Sequence, residues 1–352
     1  MIKKNYIAII GLGYVGLPLA IALGKKDFVT GYDNNINKIK YLKKGIDKNK
    51  IFTKYQIKNS KVNFTYDKKY LKKCNVFIAC VPTPVNKKNL PDLTYLKKAS
   101  EIIGKNLSKR DLVIFESTVY PGCTEEFCIP IIEKKAKLSI NKDFYCGYSP
   151  ERINPGDKKN KLKNISKIIS SSSKIGLIKM KQIYKKIIDA NLYETENIKV
   201  AEAAKLLENI QRSVNISLIN EVSLIFRKLK INTHEVLEAA NTKWNFINYK
   251  PGLVGGHCIA IDPYYLTYKA RKVGIDPRLI LSGQKINNYI PVHIANRVLK
   301  KIDLKKKNRK RILILGLTFK EDCSDLRDSK VFSIINTLKK KNCKIDVFDP
   351  WV

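Results

Sequence analysis

The sequence of 352 residues is poor in the residues that hold metal ions. It contains three histidines, His234, His257 and His293, which lie far apart, and none of its 8 cysteines forms a Cys-x-x-Cys pair. This spacing matches no recognisable metal site. The chain also lacks an apolar run long enough to cross a membrane, and its N-terminus lacks the hydrophobic region and cleavage site of a signal peptide. These absences predict a soluble, cytoplasmic protein with reduced cysteines, no metal and no membrane partner.

Acidic residues are scarce as well, with 31 Asp and Glu against 68 Lys and Arg, so the formal net charge is +37. A charge of this size can attract nucleic acids. The lysines are spread along the whole chain, however, and no zinc-finger, RRM or basic-zipper pattern accompanies them. Because diffuse charge provides only non-specific attraction, and the codon usage of an AT-rich genome explains it more simply, we expect no specific nucleic-acid partner.

The N-terminal segment has the layout of a dinucleotide-binding unit. An apolar strand leads into a GxGxxG turn, an apolar helix follows, and a second strand ends at Asp33. In this spacing the first glycine permits a tight turn, the second lets backbone approach a pyrophosphate, and the third lets helix pack closely on strand. Asp33 would accept hydrogen bonds from the adenosine ribose and repel a 2′-phosphate, which favours NAD over NADP. A glycine turn that binds nothing is the alternative. The cofactor contacts predicted here are Gly11, Gly13, Tyr14, Val15, Gly16 and Asp33.

Later apolar segments predict more strands of the same parallel sheet, at residues 76–81 and 112–116. Each is followed by Pro, Ser or Thr, as expected for loops at the carboxyl edge, where doubly wound sheets bind ligands. The segment FYCGYSPERINPGD predicts another strand and loop, which carries Glu151 and Arg152. The residues predicted to lie near the cofactor at this edge are Val81, Pro82, Thr83, Ser117 and Thr118.

A long helix is predicted over residues 200–229, with Lys205 and Asn209 four positions apart on one face. A solvated lysine on an ordinary amphipathic helix fits this pattern too. Farther along, in VGGHCIAIDPYYL, two glycines precede Cys258, and Asp262 follows it. Taken alone, Cys258 is either a buried packing residue or a nucleophile.

A series of motifs, in this order, makes the chain resemble the UDP-sugar 6-dehydrogenases, relatives of the UDP-glucose and GDP-mannose dehydrogenases. They are GLGYVGLP, VPTP, STVYPG, SPERINPG, AEAAKLLEN, GGHCIAIDPYYL and GLTFKEDCSDLRDS. The resemblance runs from about Ile7 to the last residue. The forms YSPERINPGD and TKWNF…PGLVGGHC are similar to the branch that oxidises UDP-N-acetylhexosamines for surface polysaccharides, including Vi-type capsule enzymes.

The resemblance implies an α/β fold in three parts. They are an NAD-binding Rossmann domain with a parallel sheet (residues 1–198), a central helical domain with the cysteine loop (199–300), and the start of a Rossmann-like UDP-sugar-binding domain (301–352). It also implies a homodimer through the long central helix. Similar family members continue beyond Val352, so we expect this last domain to be incomplete.

The resemblance further implies roles for single residues. Cys258 matches the nucleophile and Asp262 the acid that orients water, whereas His257 is expected to be a packing or turn residue. Pro155 stands where the glucose enzymes have a second glutamate. The acid/base role of that glutamate must then fall to Glu151, Asp262 or water, or be absent. Lys205 and Asn209 match the pair that holds the oxyanion and the reacting carbon, and Thr118 and Glu151 the water and proton network. Arg327 matches a cofactor contact. The implied UDP-sugar contacts are Glu151, Arg152, Lys205, Asn209, Gly255, Gly256, Phe319 and Lys320.

The implied activity is a four-electron, NAD-dependent oxidation of a UDP-N-acetylhexosamine at its 6-hydroxyl, through a thiohemiacetal and a thioester on Cys258. UDP-N-acetyl-D-glucosamine is the leading substrate; the galacto and manno N-acetyl sugars and UDP-glucose are alternatives. Two other classes fit part of the sequence. One is a two-electron 3-hydroxyacid dehydrogenase, which would not need Cys258, and the other is an inactive protein that binds nucleotide sugars or nucleic acid.

Overall fold

The computed structural model describes residues 5–153, 162–256, 259–302 and 310–352. Cys258, His257 and Pro155 lie outside the described residues, as does most of the lysine-rich segment that precedes the last domain. The chain divides into two compact units, Met1–Leu206 and Leu207–Val352.

The first unit is built on an eight-stranded sheet with the strand order β3-β2-β1-β4-β5-β6-β7-β8. Neighbouring strands are parallel except for β6 and β7, which are antiparallel. The strands are Tyr6–Ile10 (β1), Phe28–Tyr32 (β2), Val62–Thr65 (β3), Val76–Ala79 (β4), Leu112–Phe115 (β5), Tyr145–Tyr148 (β6), Lys167–Ser171 (β7) and Leu192–Glu194 (β8). The central strands β4 and β5 are buried along their whole length, which explains their unbroken apolar sequence. The predicted Rossmann-type parallel sheet is confirmed.

Helices connect these strands and cover the sheet. They are Gly16–Gly24 (α1), Ile36–Lys43 (α2), Lys54–Lys58 (α3), Thr94–Asn106 (α4), Ile129–Ala136 (α5) and Lys174–Tyr184 (α6). Short helical turns lie at Lys68–Lys73, Thr124–Cys128 and Leu162–Asn164, the second of them a π-helical turn directly before α5. The core between α1, α6 and the sheet includes Ile7, Ile9, Leu17, Ile114 and Met180.

The strands β4 and β5 end earlier than the sequence predicts. Cys80 and Val81 follow β4, and Glu116 follows β5, so all three belong to loops at the carboxyl edge rather than to strands. This edge therefore carries more side chains than the sequence analysis assigned to it.

The predicted long helix is confirmed as α7, Ile198–Lys228, with 31 residues. The division between the two units falls within it, after Leu206. Among the described residues, no helix combines the length and the apolar character needed to span a bilayer.

The second unit continues with helices and a small parallel pair of strands. Its elements after α7 are Thr233–Ala240 (α8), Asp262–Lys272 (α9), Arg278–Lys301 (α10), Arg311–Leu315 (β9), Val331–Lys339 (α11) and Lys344–Phe348 (β10). Ala295 and Leu299 of α10 pack with Leu338 of α11 and with Cys343. β9, α11 and β10 form a β–α–β unit, within the segment where the start of a Rossmann-like domain is expected. In the turn before α11, the Ser329 hydroxyl donates to the Leu317 carbonyl at 2.7 Å.

Candidate active site

The loop between β1 and α1 is shaped by its glycines. Gly11 has a φ of +94°, and a Cβ there would lie 2.7 Å from the Cys80 carbonyl oxygen. A Cβ on Gly16 would collide with the Gly11 carbonyl oxygen, so α1 can begin this close to the loop only with glycine. Around Gly13, by contrast, nothing lies within 4 Å of the Cβ position. Tyr14 and Val15, between this open position and α1, are half-buried. The loop thus leaves its backbone open at the position where a pyrophosphate would approach a helix start.

Asp33 lies at the end of β2 and is 6% exposed. Its Oδ2 accepts hydrogen bonds from the backbone N–H of Leu12 at 3.0 Å and from Lys38 Nζ at 2.7 Å, and its Oδ1 accepts from the N–H of Asn35 at 2.9 Å. The carboxylate therefore ties the glycine loop to the end of β2. Lys38 was not predicted, because its only signal in the sequence is a lysine in the first turn of α2. Its positive charge weakens the repulsion of a 2′-phosphate that Asp33 alone would exert.

A cavity of about 200 Å³ opens beside Asp33. Gly11, Asp33, Val81 and Pro82, four of the predicted cofactor residues, line it together with Tyr95 of α4. Thr83 and Ser117 are buried next to this lining, and the Ser117 hydroxyl donates to the Val81 carbonyl at 2.7 Å. The open glycine loop, the acid at the end of β2 and this cavity are consistent with a bound dinucleotide.

Farther along the same edge lies a buried cluster of charged and polar side chains: Glu116, Glu151, Lys167 and Tyr184, here called the carboxyl-edge cluster. Lys167 Nζ is 3.2 Å from Glu116 Oε2 and 3.6 Å from Glu151 Oε2, and the Tyr184 hydroxyl donates to Glu116. Of these residues only Glu151 was predicted from the sequence. The other three come from β7, α6 and the loop after β5, and no local motif marks them.

The backbone around Glu151 fixes its other oxygen. Glu151 Oε1 accepts from the N–H groups of Arg152 and Ile153, at 2.7 and 2.6 Å. Arg152 Nη1 donates to the Ser166 carbonyl at 2.9 Å, and Thr118 is half-buried after β5. The loop that carries Glu151 and Arg152 is thus held to the segment before β7.

The helix α7 carries Lys205 in the first unit and Asn209 in the second. Both are largely buried, at 8% and 7% exposed, so the reading of Lys205 as a solvated lysine is wrong. Asn209 Nδ2 donates to Asp262 Oδ2 at 2.5 Å, and Asp262, the first residue of α9, is 2% exposed. Asp262, which is predicted to orient water, is therefore held in place by Asn209, a predicted substrate contact.

Within the second unit, the two glycines that precede the cysteine pack against the loop after β9. Gly256 has a φ of +84°, and a Cβ there would lie 2.6 Å from the Phe319 ring; one on Gly255 would lie 2.9 Å from the Asp328 carbonyl oxygen. Lys320 Nζ lies 5.5 Å from the centroid of the Phe319 ring. Four residues predicted to contact the UDP-sugar, the two glycines, Phe319 and Lys320, are therefore brought together.

Arg327, a predicted cofactor contact, forms an ion pair within its own loop. Its Nε and Nη2 donate to Asp325, the shortest bond being 2.6 Å. Asp325 thus fixes the direction of the guanidinium group. Within the described ranges, no group of three or more His, Cys, Asp and Glu side chains could hold a metal ion.

Comparisons with known proteins identify the family of this chain. The chain matches three domains of the UDP-glucose/GDP-mannose dehydrogenase family: the NAD binding domain over residues 5–188, the central domain over 199–289 and the UDP binding domain over 313–352. It is 50% identical to UDP-N-acetyl-D-glucosamine 6-dehydrogenase from Pseudomonas aeruginosa, over 99% of this chain and 84% of that protein. It is 49% identical to the protein of the same name from Salmonella typhi, over 100% of this chain and 83% of the relative.

A solved structure shows the same architecture. UDP-D-ManNAc dehydrogenase from Pyrococcus horikoshii aligns with a TM-score of 0.91 at 32% identity, over 98% of this chain and 84% of that one. The predicted resemblance and the NAD cofactor are confirmed by these matches. The chain therefore belongs to the UDP-glucose/GDP-mannose dehydrogenase family and is an NAD-dependent UDP-sugar dehydrogenase.

Proposed function

We propose that this protein oxidises UDP-N-acetyl-D-glucosamine at C6 to the UDP-uronic acid, for surface polysaccharide synthesis, with Cys258 as nucleophile. The structural observation that carries the proposal is the hydrogen bond from Asn209 to Asp262. It fixes a buried carboxylate that lies four residues after Cys258 in the chain. The names of the two relatives at about half identity support the choice of sugar.

The proposed chemistry assigns one step to each group. Bound NAD supplies the hydride acceptor for both oxidations at C6. The Cys258 sulfur adds to the aldehyde carbon, and the developing oxyanion is stabilised by Lys205 through an interaction that strengthens as charge develops. A free cysteine with a pKa of about 8.5 is only a few per cent thiolate at neutral pH, so a nearby cation increases its reactivity. Asp262 orients the water that hydrolyses the thioester, and Glu151 and Thr118 belong to the network that carries its proton.

The proposal includes NAD contacts at the glycine loop, at Asp33 and along the carboxyl edge. The open backbone at Gly13 and the cavity beside Asp33 support these contacts. The proposal also includes the three-part domain division at residues 1–198, 199–300 and 301–352. It further includes UDP-sugar contacts at Gly255, Gly256, Phe319 and Lys320. The packing of Gly256 against Phe319 supports these sugar contacts.

We further propose that α7 forms a homodimer contact. Leu207, Leu218 and Ile225 are 63%, 55% and 50% exposed, and their spacing places them on one face of the helix. An apolar face of this kind is typical of a surface that a second helix covers. Sedimentation velocity should show a dimer for the protein and a larger monomer fraction for Leu218→Glu; a monomeric parent protein would contradict the contact.

The function is tested by counting NADH per sugar. The protein should form two NADH per UDP-N-acetyl-D-glucosamine and release the uronic acid, whereas a two-electron dehydrogenase forms one. Cys258→Ser should retain the first oxidation and stall before the acid, because a hydroxyl is the poorer nucleophile and an ester hydrolyses less readily than a thioester. Uronic acid formed by Cys258→Ser at the parental rate would refute the cysteine mechanism. Rates on the galacto and manno isomers and on UDP-glucose test the choice of sugar.

A further inference from the structure

The carboxyl-edge cluster contains a lysine that no motif marks and that the proposed mechanism does not use. Lys167 is the first residue of β7 and is 4% exposed. Burying an ammonium group is costly unless it is paired. Lys167 is paired twice, with Glu116 at 3.2 Å and with Glu151 at 3.6 Å.

The two carboxylate oxygens of Glu151 have different partners. Its Oε1 has two backbone N–H donors, but its Oε2 has no hydrogen-bond partner among the described residues, and Lys167 is the cation paired with it. An oxygen that is buried, carries charge and lacks donors remains able to accept a proton. Lys167 therefore faces the one atom of Glu151 that is available for proton transfer.

Groups from five segments face this position: Cys80 after β4, Glu116 after β5, Glu151 after β6, Lys167 in β7 and Tyr184 in α6. Burial lowers the pKa of Lys167, but the charges of Glu116 and Glu151 outweigh this effect and the pKa is raised, so the ammonium keeps its proton. Burial raises the pKa values of Tyr184 and Cys80 well above their ordinary range, so both stay neutral. Burial also raises the pKa of Glu116; the charge of Glu151 adds to this effect, whereas Lys167 opposes it. The lysine is thus the positive charge that two neighbouring buried carboxyl groups share.

We propose that Lys167 is a positioning residue for Glu151: through the ion pair at 3.6 Å it holds Oε2 in place as the atom that accepts a proton during thioester hydrolysis. The inference rests on the proposed function. In that step the water oxygen bonds to the acyl carbon, and the C–S bond breaks with its electron pair leaving on the Cys258 sulfur. One water proton passes to Glu151 Oε2, directly or along the Thr118 network. The products are the uronic acid, the thiolate and a protonated Glu151.

A purely structural role for Lys167 makes a different prediction. If Lys167 only offsets the buried charge of Glu116, then Glu116→Gln should remove the need for the lysine. The double variant Lys167→Met/Glu116→Gln should then recover both stability and turnover. If Lys167 positions Glu151, the double variant should recover stability but not turnover.

The experiment compares this double variant with Lys167→Met, Lys167→Arg, Glu116→Gln and Glu151→Gln, all measured for kcat, KM and melting temperature. Lys167→Met should lower kcat by about 10²-fold with KM little changed, as misplacement of a catalytic group does. The acyl adduct on Cys258 should accumulate and be visible in intact-protein mass spectra. Lys167→Arg should restore much of kcat, because it keeps the charge. In a Glu151→Gln background, Lys167→Met should cost little more, since the two residues act as one unit.

The matched control is Lys186→Met, which removes another ion pair of the same unit, between Lys186 and Asp27 at 2.7 Å. It should lower the melting temperature without an adduct and without a change in kcat. If Lys167→Met does not fold, the double variant takes its place, with Glu116→Gln as its reference.

Full recovery of kcat in the double variant, or additive losses with Glu151→Gln, would overturn the role of Lys167. The parent protein is assayed first, with a count of NADH per sugar. One NADH per sugar refutes the proposed function itself, whereas two NADH with a fully active double variant refutes only the role of Lys167.

Discussion

Glu202 offers a sharp test of how burial controls stability in the first unit. Its side chain, near the start of α7, is 0% exposed. Its two carboxylate oxygens accept hydrogen bonds from the backbone N–H groups of Gly122, at 2.5 Å, and Thr124, at 2.9 Å. These N–H groups lie at the start of the π-helical turn before α5, where helix donors lack partners within the helix. Burial raises the pKa of Glu202 from 4.5 to about 7, against the opposing effect of these hydrogen bonds.

The contribution of Glu202 to the free energy of unfolding follows from the difference between its ordinary pKa and its raised pKa. Each pKa unit corresponds to about 1.4 kcal/mol, so a rise from 4.5 to about 7 is worth about 3 kcal/mol in total. The folded protein binds the proton more tightly than the unfolded chain does. The contribution of Glu202 to stability is therefore fully present below pH 4.5 and is lost as the pH rises through about 7. Most of this loss, about 2 kcal/mol, should occur between about pH 5 and pH 8.

Glu202→Gln removes the titration and keeps the shape. We expect its melting temperature, relative to the parent protein, to increase by about 5 °C between about pH 5 and pH 8, because about 1 kcal/mol corresponds to a few degrees for a unit of this size. Thermal unfolding at constant ionic strength, followed by near-UV circular dichroism, measures the difference. Glu101→Gln on α4 is the control for the loss of one negative charge. A difference that stays constant with pH, or falls as pH rises, would refute the reasoning.

Three further predictions concern the two ligand sites. Asp33→Asn should weaken NAD binding by about tenfold and reduce the preference for NAD over NADP, because the variant loses one charged acceptor. Calorimetric titration with both cofactors tests this, and unchanged affinities would remove Asp33 from the site. Gly16→Ala should abolish NAD binding and lower the melting temperature, because its Cβ collides with the Gly11 carbonyl, whereas Gly13→Ala, in open space, should keep the fold. Equal melting temperatures for these two variants would contradict the packing argument. Gly256→Ala should cost about 1–2 kcal/mol through its positive φ and also clash with Phe319, so UDP titration should show weaker binding; unchanged affinity and stability would contradict this.

The sequence by itself determined the features that depend on neighbouring residues. The apolar strand before Gly11, the glycine spacing and the acid after β2 predicted the first β–α–β unit, because each follows from local backbone geometry. The helical pattern around Lys205 and Asn209 predicted α7 to within two residues at each end. The motif order predicted the family and the cofactor. The role of Cys258 stays a prediction, since the residue lies outside the described part of the chain.

Only the tertiary structure decided which distant side chains meet. Glu116 and Lys167 are 51 positions apart, and Glu202 is 80 positions from Gly122. Lys167 reaches Glu116 because β7 runs antiparallel to β6 and so begins at the carboxyl edge where β5 ends. Asn209 and Asp262, 53 positions apart, meet because the first residue of α9 lies beside α7. Strand order, strand direction and helix packing are set by the burial of the whole apolar core, and no short stretch of sequence contains that information.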